Sequence, residues 1–149
     1  MSVREGSSHT SLLERYVELY NVRDLDGCVK LFAEDAAQVS PDGTVEGRSG
    51  IRERLARQLA ACPDMRLTVG SFVEQGNTFA DEWAFEGTHT GPFLLPDGTE
   101  LPPTGRPVEI KGMEFVRVRD GEIVTRHLYY DYLAVATQFG VLPQPDAAS

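Results

Sequence analysis

The sequence predicts an α+β domain in which helices come first and a long antiparallel meander follows, closed by one short helix. Three observations carry this. Apolar residues recur at helical spacing only before about residue 61. From Met65 they alternate almost to the C-terminus, and one proline- and glycine-rich stretch, 91–105, interrupts the alternation. Helices gathered on one face of a strongly curved, mainly antiparallel sheet make a cone, an α+β barrel whose concave side is a cavity reached past that loop.

Residues 1–8 are polar and read as a flexible tail, as do 144–149. Leu12, Leu13, Tyr16, Val17, Leu19 and Tyr20 set a first helix over about 10–22. Asp24 offers a cap, and Leu25, Cys28, Val29, Leu31 and Phe32 give a second helix ending before Ala36. Short strands at 37–40 and 44–46 flank the turn Pro41-Asp42-Gly43. A third helix spans about 49–61. Ile51, Leu55, Gln58 and Leu59 form its inner face, while Arg52, Glu53, Arg54 and Arg57 read as a solvated exterior, the other reading being that the arginines hold an anionic substrate; Pro63 ends the helix.

Met65, Leu67, Val69, Ser71 and Val73 then alternate in a long strand that turns at Gly76-Asn77. A second strand carries Phe79, Asp81, Trp83, Phe85, Gly87 and His89 on one parity. The excursion GPFLLPDGTELPPTG is too rich in proline and glycine for regular structure. A third strand, 107–119, turns at Asp120-Gly121 into a fourth that ends on Asp131, where an apolar helix begins. In the third strand Val108, Ile110, Val116 and Val118 share one parity and Met113 and Phe115 the other, so both faces need cover; a second copy of the chain is the expected partner.

At 149 residues the chain fits a single domain, 1–149. Fourteen basic against 23 acidic residues, a formal charge of −9, argue against nucleic acid and anionic membranes as partners. No apolar run has the length of a membrane span and the first residues lack a secretory apolar core, so a cytoplasmic location is expected. Cys28 and Cys62 stand apart from one another and from any histidine pair, which indicates neither zinc nor a disulfide framework. No glycine-rich phosphate loop, serine elbow or paired metal ligands are present, so no cofactor or metal is expected.

The candidate site lies at the end of the fourth strand. Alternation places Ile123, Thr125, His127, Tyr129 and Asp131 on one face. A carboxylate closing such a row at an enclosed sheet face loses hydration, which raises its pKa toward the range of a general acid or base. The competing reading of Asp131 is a helix N-cap.

Several stretches resemble one family: FAEDA (32–36), the Gly50-Ile51 helix, WAFEGTHTGPF (83–93), PPTGRPVEIKG (102–112), FVRVRDGEIV (115–124) and HLYYDYLAVATQFG (127–140). In this order they resemble the SnoaL-like polyketide cyclases of the nuclear transport factor two-like superfamily, which also holds ketosteroid isomerase and limonene epoxide hydrolase relatives. The resemblance implies a cone-shaped, often dimeric domain. Its cyclase members close a ring by intramolecular aldol chemistry without metal or cofactor, using an aspartate that matches Asp131. His89, in GTHTG, also matches a motif position, and a loop-organising hydrogen bond is its other reading. Many relatives carry a polar pair at the positions of Val39 and Ser40, and this chain departs from them there.

The expected function is therefore a cofactor-independent acid/base enzyme, an aldol-type cyclase or isomerase, acting on a small hydrophobic polyketide- or terpenoid-like carbonyl compound. Asp131, His127 and His89 are the catalytic candidates. Tyr129, Trp83, Phe85, Tyr16, Gln38 and Phe93 are the expected substrate walls. An epoxide-opening enzyme and a non-catalytic small-molecule binder are the other readings.

Overall fold

The computed structural model describes residues 8–141 apart from 96, so the expected tails lie outside the described residues except for Ser8, which opens the first helix. Helix α1 (Ser8–Asn21) buries Leu13, Tyr16, Leu19 and Tyr20 on one stripe. Asp24 caps α2 (Leu25–Lys30), its carboxylate accepting the Gly27 amide at 2.8 Å. Strand β1 (Phe32–Ser40) turns into β2 (Gly43–Glu46), and α3 (Gly47–Ala61) follows. The meander consists of β3 (Arg66–Gln75), β4 (Thr78–Thr88), a two-residue hairpin β5 (Phe93–Leu94) and β6 (Glu100–Leu101), β7 (Pro107–Arg119) and β8 (Glu122–Tyr130). Helix α4 (Tyr132–Gln138) ends it.

Six strands form one sheet in the order β2-β1-β8-β7-β4-β3, with only β1 and β8 parallel. Irregularities in β1 between Phe32 and Ala37, in β3 between Val69 and Phe72, and between β7 and β8 at Arg117/Val118 bend it, since each bulge adds local twist. Helices α1 to α3 fill the concave side. The apolar core lies between them and the inward rows of β4 and β7, with Phe79, Trp83, Phe85, Val108, Ile110, Val116 and Val118 buried. This is the expected cone-shaped α+β architecture.

Two local expectations are corrected. The second helix stops at Lys30, because Phe32, Ala33 and Ala36 are taken into the parallel β1/β8 pair, where Phe32 pairs with Ile123. The excursion after Gly91 is not wholly irregular: Phe93 pairs with Leu101 and Leu94 with Glu100. Helix α4 is fastened to β7 by one side chain. The Gln138 amide accepts the Glu109 backbone N–H at 2.7 Å and donates to the Glu109 carbonyl at 2.9 Å, which lays α4 across the open end of the cone.

Candidate active site

A cavity of about 180 Å³ opens between α3, α4, the β5 hairpin and the concave sheet face. Leu55, Phe85, Phe93, Ile110, Val135 and Phe139 supply its apolar walls. Tyr16, Gln38, Arg126, Asp42, Arg54, Arg57, Gln58 and Tyr130 supply its polar groups. Asp42 is the only carboxylate among them.

The polar floor follows from sheet register. Gln38 of β1 pairs with Arg126 of β8, Glu114 of β7 faces Asp81 of β4, and all four are buried on the concave side. Arg126 Nε donates to Glu114 Oε1 at 2.5 Å, and its Nη1 donates to the Tyr16 hydroxyl at 3.1 Å and to Gln38 Oε1 at 3.3 Å. The guanidinium carbon stands 4.8 Å from the centre of the Tyr16 ring. Burial alone would discharge Arg126, but Glu114 and Tyr16 hold the guanidinium more firmly charged than usual. Burial raises the Tyr16 phenol even with Arg126 beside it. Asp81 accepts no hydrogen bond among the described residues, and burial first, then the nearby Glu114 carboxyl, push it up to about 9. The Asp81–Glu114 pair thus keeps one proton at neutral pH, and the buried cluster of Arg126, Glu114 and Asp81 carries no net charge.

A second cluster sits at the mouth. Asp42 Oδ1 accepts from Arg54 Nη2 at 2.5 Å and from the Ser40 hydroxyl at 2.6 Å, while the Tyr130 hydroxyl lies 3.5 Å from Arg54 Nη2. Burial would raise Asp42, yet Arg54 and the hydrogen bonds from Ser40 and Tyr130 hold it below the usual carboxylate range. Burial and the Asp42 charge push the Tyr130 phenol up to about 12, so it stays protonated.

The residues expected from sequence divide sharply. Tyr16, Gln38, Phe85 and Phe93 meet on the cavity wall. Trp83 lies behind it, its ring 5.1 Å from that of Phe85 and 6.2 Å from that of Tyr130. His89 is buried behind Phe139, with ring centroids 5.0 Å apart; its Nδ1 accepts the Thr104 amide at 3.3 Å, so it fastens the loop before β7. Asp131, His127 and Tyr129 do not reach the cavity. Asp131 is exposed and caps α4, its Oδ1 accepting the Ala134 amide at 3.1 Å, and Tyr129 is 55% exposed on the convex face.

The reason is a β-bulge. Val118 pairs with Ile123 but Arg117 pairs with Thr125, which leaves Val124 as an extra residue. The extra residue reverses parity, so Arg126, Leu128 and Tyr130 point inward and Thr125, His127 and Tyr129 outward. Sequence reasoning missed Asp42, which read as a turn residue, and it missed Asp81, Glu114 and Arg126, which are charges set in apolar rows. Asp81 falls between Phe79 and Trp83, and Glu114 has the parity of Ile110 and Val116; that mismatch was the available signal. On α3, Arg54 and Arg57 face the cavity, whereas Arg52 pairs outside with Asp26 at 2.8 Å.

The profile of the SnoaL-like polyketide cyclase family matches residues 10–139 of the chain. Among solved structures, IdmH of Streptomyces antibioticus, a proposed polyketide cyclase, is 31% identical with a TM-score of 0.70, the match covering 88% of this chain and 97% of that one. AclR of Streptomyces galilaeus, a proposed hydroxylase, is 26% identical with a TM-score of 0.76, covering 93% and 85%. A SnoaL-like protein of Jannaschia sp. CCS1 shares the fold at 20% identity, with a TM-score of 0.78 and coverage of 94% and 99%.

Proposed function

The chain belongs to the SnoaL-like polyketide cyclase family, and from that premise we propose that it is a cofactor-independent acid/base enzyme closing or isomerising a hydrophobic polyketide-like carbonyl compound. The observation that carries this reading is Asp42, the one carboxylate among the described residues on the wall of a cavity that also presents a charged guanidinium, Arg126. Asp42 takes the role that the sequence suggested for Asp131. A carboxylate held below its ordinary range is a weak base, so the carbon it deprotonates must be acidic, such as a methylene between two carbonyls.

In the aldol direction, the C–H proton passes to Asp42 and the electron pair becomes an enolate. Its oxygen is stabilised by Arg126, whose Nη2 makes no other bond among the described residues, and by the Tyr16 hydroxyl. The enolate carbon then bonds to a second carbonyl carbon of the same molecule, and the alkoxide formed takes the proton back by way of Tyr130 and Asp42. The apolar walls exclude water while the ring closes.

The test uses aryl 1,3-diketones carrying a tethered ketone, with ring closure followed by chromatography. Asp42→Asn is expected to lower the rate about 100-fold or more while binding, read by tryptophan fluorescence, is kept. Closure at the wild-type rate in Asp42→Asn would remove the base from this reading. Binding without any turnover in the wild type would make the protein a binder. The partner in this reading is a second copy of the chain, docked on the convex face where Met113, Phe115 and Tyr129 are 44%, 46% and 55% exposed.

A further inference from the structure

The charges around the cavity do not balance. Among the described residues three guanidiniums, Arg54, Arg57 and Arg126, line it against the single carboxylate of Asp42. Two of the three are matched, Arg54 by Asp42 and Arg126 by the buried Glu114, each at 2.5 Å. Asp81 brings no charge at neutral pH, since it shares the proton of the buried carboxyl pair. Among the described residues Arg57 is left with Glu53 alone, one turn back on α3 at 3.5 Å; that carboxylate is 73% exposed, while the Arg57 side chain is 20% exposed. A guanidinium offers five donors in a planar fork, and Arg57, at 20% exposure, keeps some contact with water while one hydrated partner takes few of those donors, so the rest are open to an acceptor entering the cavity. Beside it, Gln58 accepts the Tyr20 hydroxyl through Oε1 at 2.9 Å, and its amide N–H donors have no partner among the described residues.

We propose that Arg57 and Gln58 form an anion anchor at the cavity wall, and that the compound this cavity takes is a hydrophobic carboxylic acid. Its flat apolar body lies among Phe85, Phe93 and Phe139, and its carboxylate is held by the Arg57 fork in a charge-assisted, two-bond pair. The inference rests on the cavity being the substrate site and narrows what enters it. It assigns Arg57 to binding and leaves the chemistry with Asp42.

The test reads binding, independently of turnover. The full-length protein is titrated near neutral pH with 2-naphthoate and with its uncharged methyl ester, by calorimetry. The acid is expected to bind about tenfold or more tighter than the ester. Arg57→Met is expected to bring the two to within about twofold, while Arg52→Gln, outside the cavity, leaves the preference intact. Arg57→Lys keeps the charge without the fork and is expected to retain part of the preference. Equal affinities in the wild type, or an undiminished preference in a folded Arg57→Met protein, overturn the anchor. Either result leaves the Asp42 experiment standing, and loss of the Asp42 effect alone leaves the anchor standing.

Discussion

Asp81 and Glu114 face one another across β4 and β7, both almost wholly removed from water, and only Glu114 has a cation bonded to it. The consequence is a stability that depends on pH. In the folded protein Asp81 keeps its proton to about pH 9, whereas in the unfolded chain it releases it near the ordinary value of about 3.9. The folded state therefore binds more protons than the unfolded state between these limits. Its stability from this group is complete below about pH 4 and is lost as pH rises toward about 9. Urea unfolding at several pH values across that window checks this. Wild type is expected to lose on the order of a few kcal/mol relative to Asp81→Asn, whose neutral amide does not titrate. Parallel pH profiles for the two proteins would show that the proton is not held there. Asp42 gives the opposite sign: held low by Arg54, Ser40 and Tyr130 against burial, it stays ionised, so the rate attributed to it falls only once pH drops below the usual carboxylate range.

Among the elements, β8 decides how the site is assembled. The order and type of the long strands were legible because alternation over ten or more residues admits few other readings, and the same alternation placed Phe85 on the inward row; Tyr16 came from the helical spacing of α1. What alternation cannot show is a one-residue slip. Val124 carries no glycine or proline to mark it, yet it exchanges the row of His127 and Tyr129 for the row of Arg126 and Tyr130. The arginines of α3 were misplaced for a related reason. At about 100° per residue Arg54 lies only about 60° from Ile51, and a helix packed into a cone buries a wider arc than one lying on a flat sheet. Asp131 now belongs to α4 as its cap. Asp131→Ala is expected to cost about 0.5–2 kcal/mol in chemical unfolding and to leave ring closure at its original rate. A rate loss comparable to that of Asp42→Asn would return the chemistry to Asp131.

At the scale of the molecule, the convex face of the sheet carries a strip of apolar side chains interrupted by His127 and bordered by Glu82, which stands opposite Met113. Met113 stands directly opposite Tyr129, Phe115 opposite His127 and Ala80, and Ala80 opposite Val73, which is 66% exposed. An open sheet face of this kind is self-complementary about a twofold axis, so a second copy can cover it without a specialised partner. Light scattering at micromolar concentration is expected to give twice the chain mass, and Phe115→Glu to give the single-chain mass with the fold intact. A wild-type monomer would mean the strip stays in contact with solvent.

The unmatched Arg57 also changes how a ligand arrives. The protein carries a net charge of −9, so an approaching carboxylate is repelled over the distance at which it senses the whole surface and is attracted only after it has entered the cavity. Salt therefore acts differently on the two stages. At low ionic strength, where the screening length is about 30 Å, the surface slows every encounter. Near 0.15 M that length is about 8 Å, and the repulsion fades while the enclosed guanidinium is little affected. Added salt thus speeds the entry of an anion into this protein, the reverse of what a cationic binding surface does, and the acidic exterior becomes a toll on charged ligands that uncharged ones do not meet.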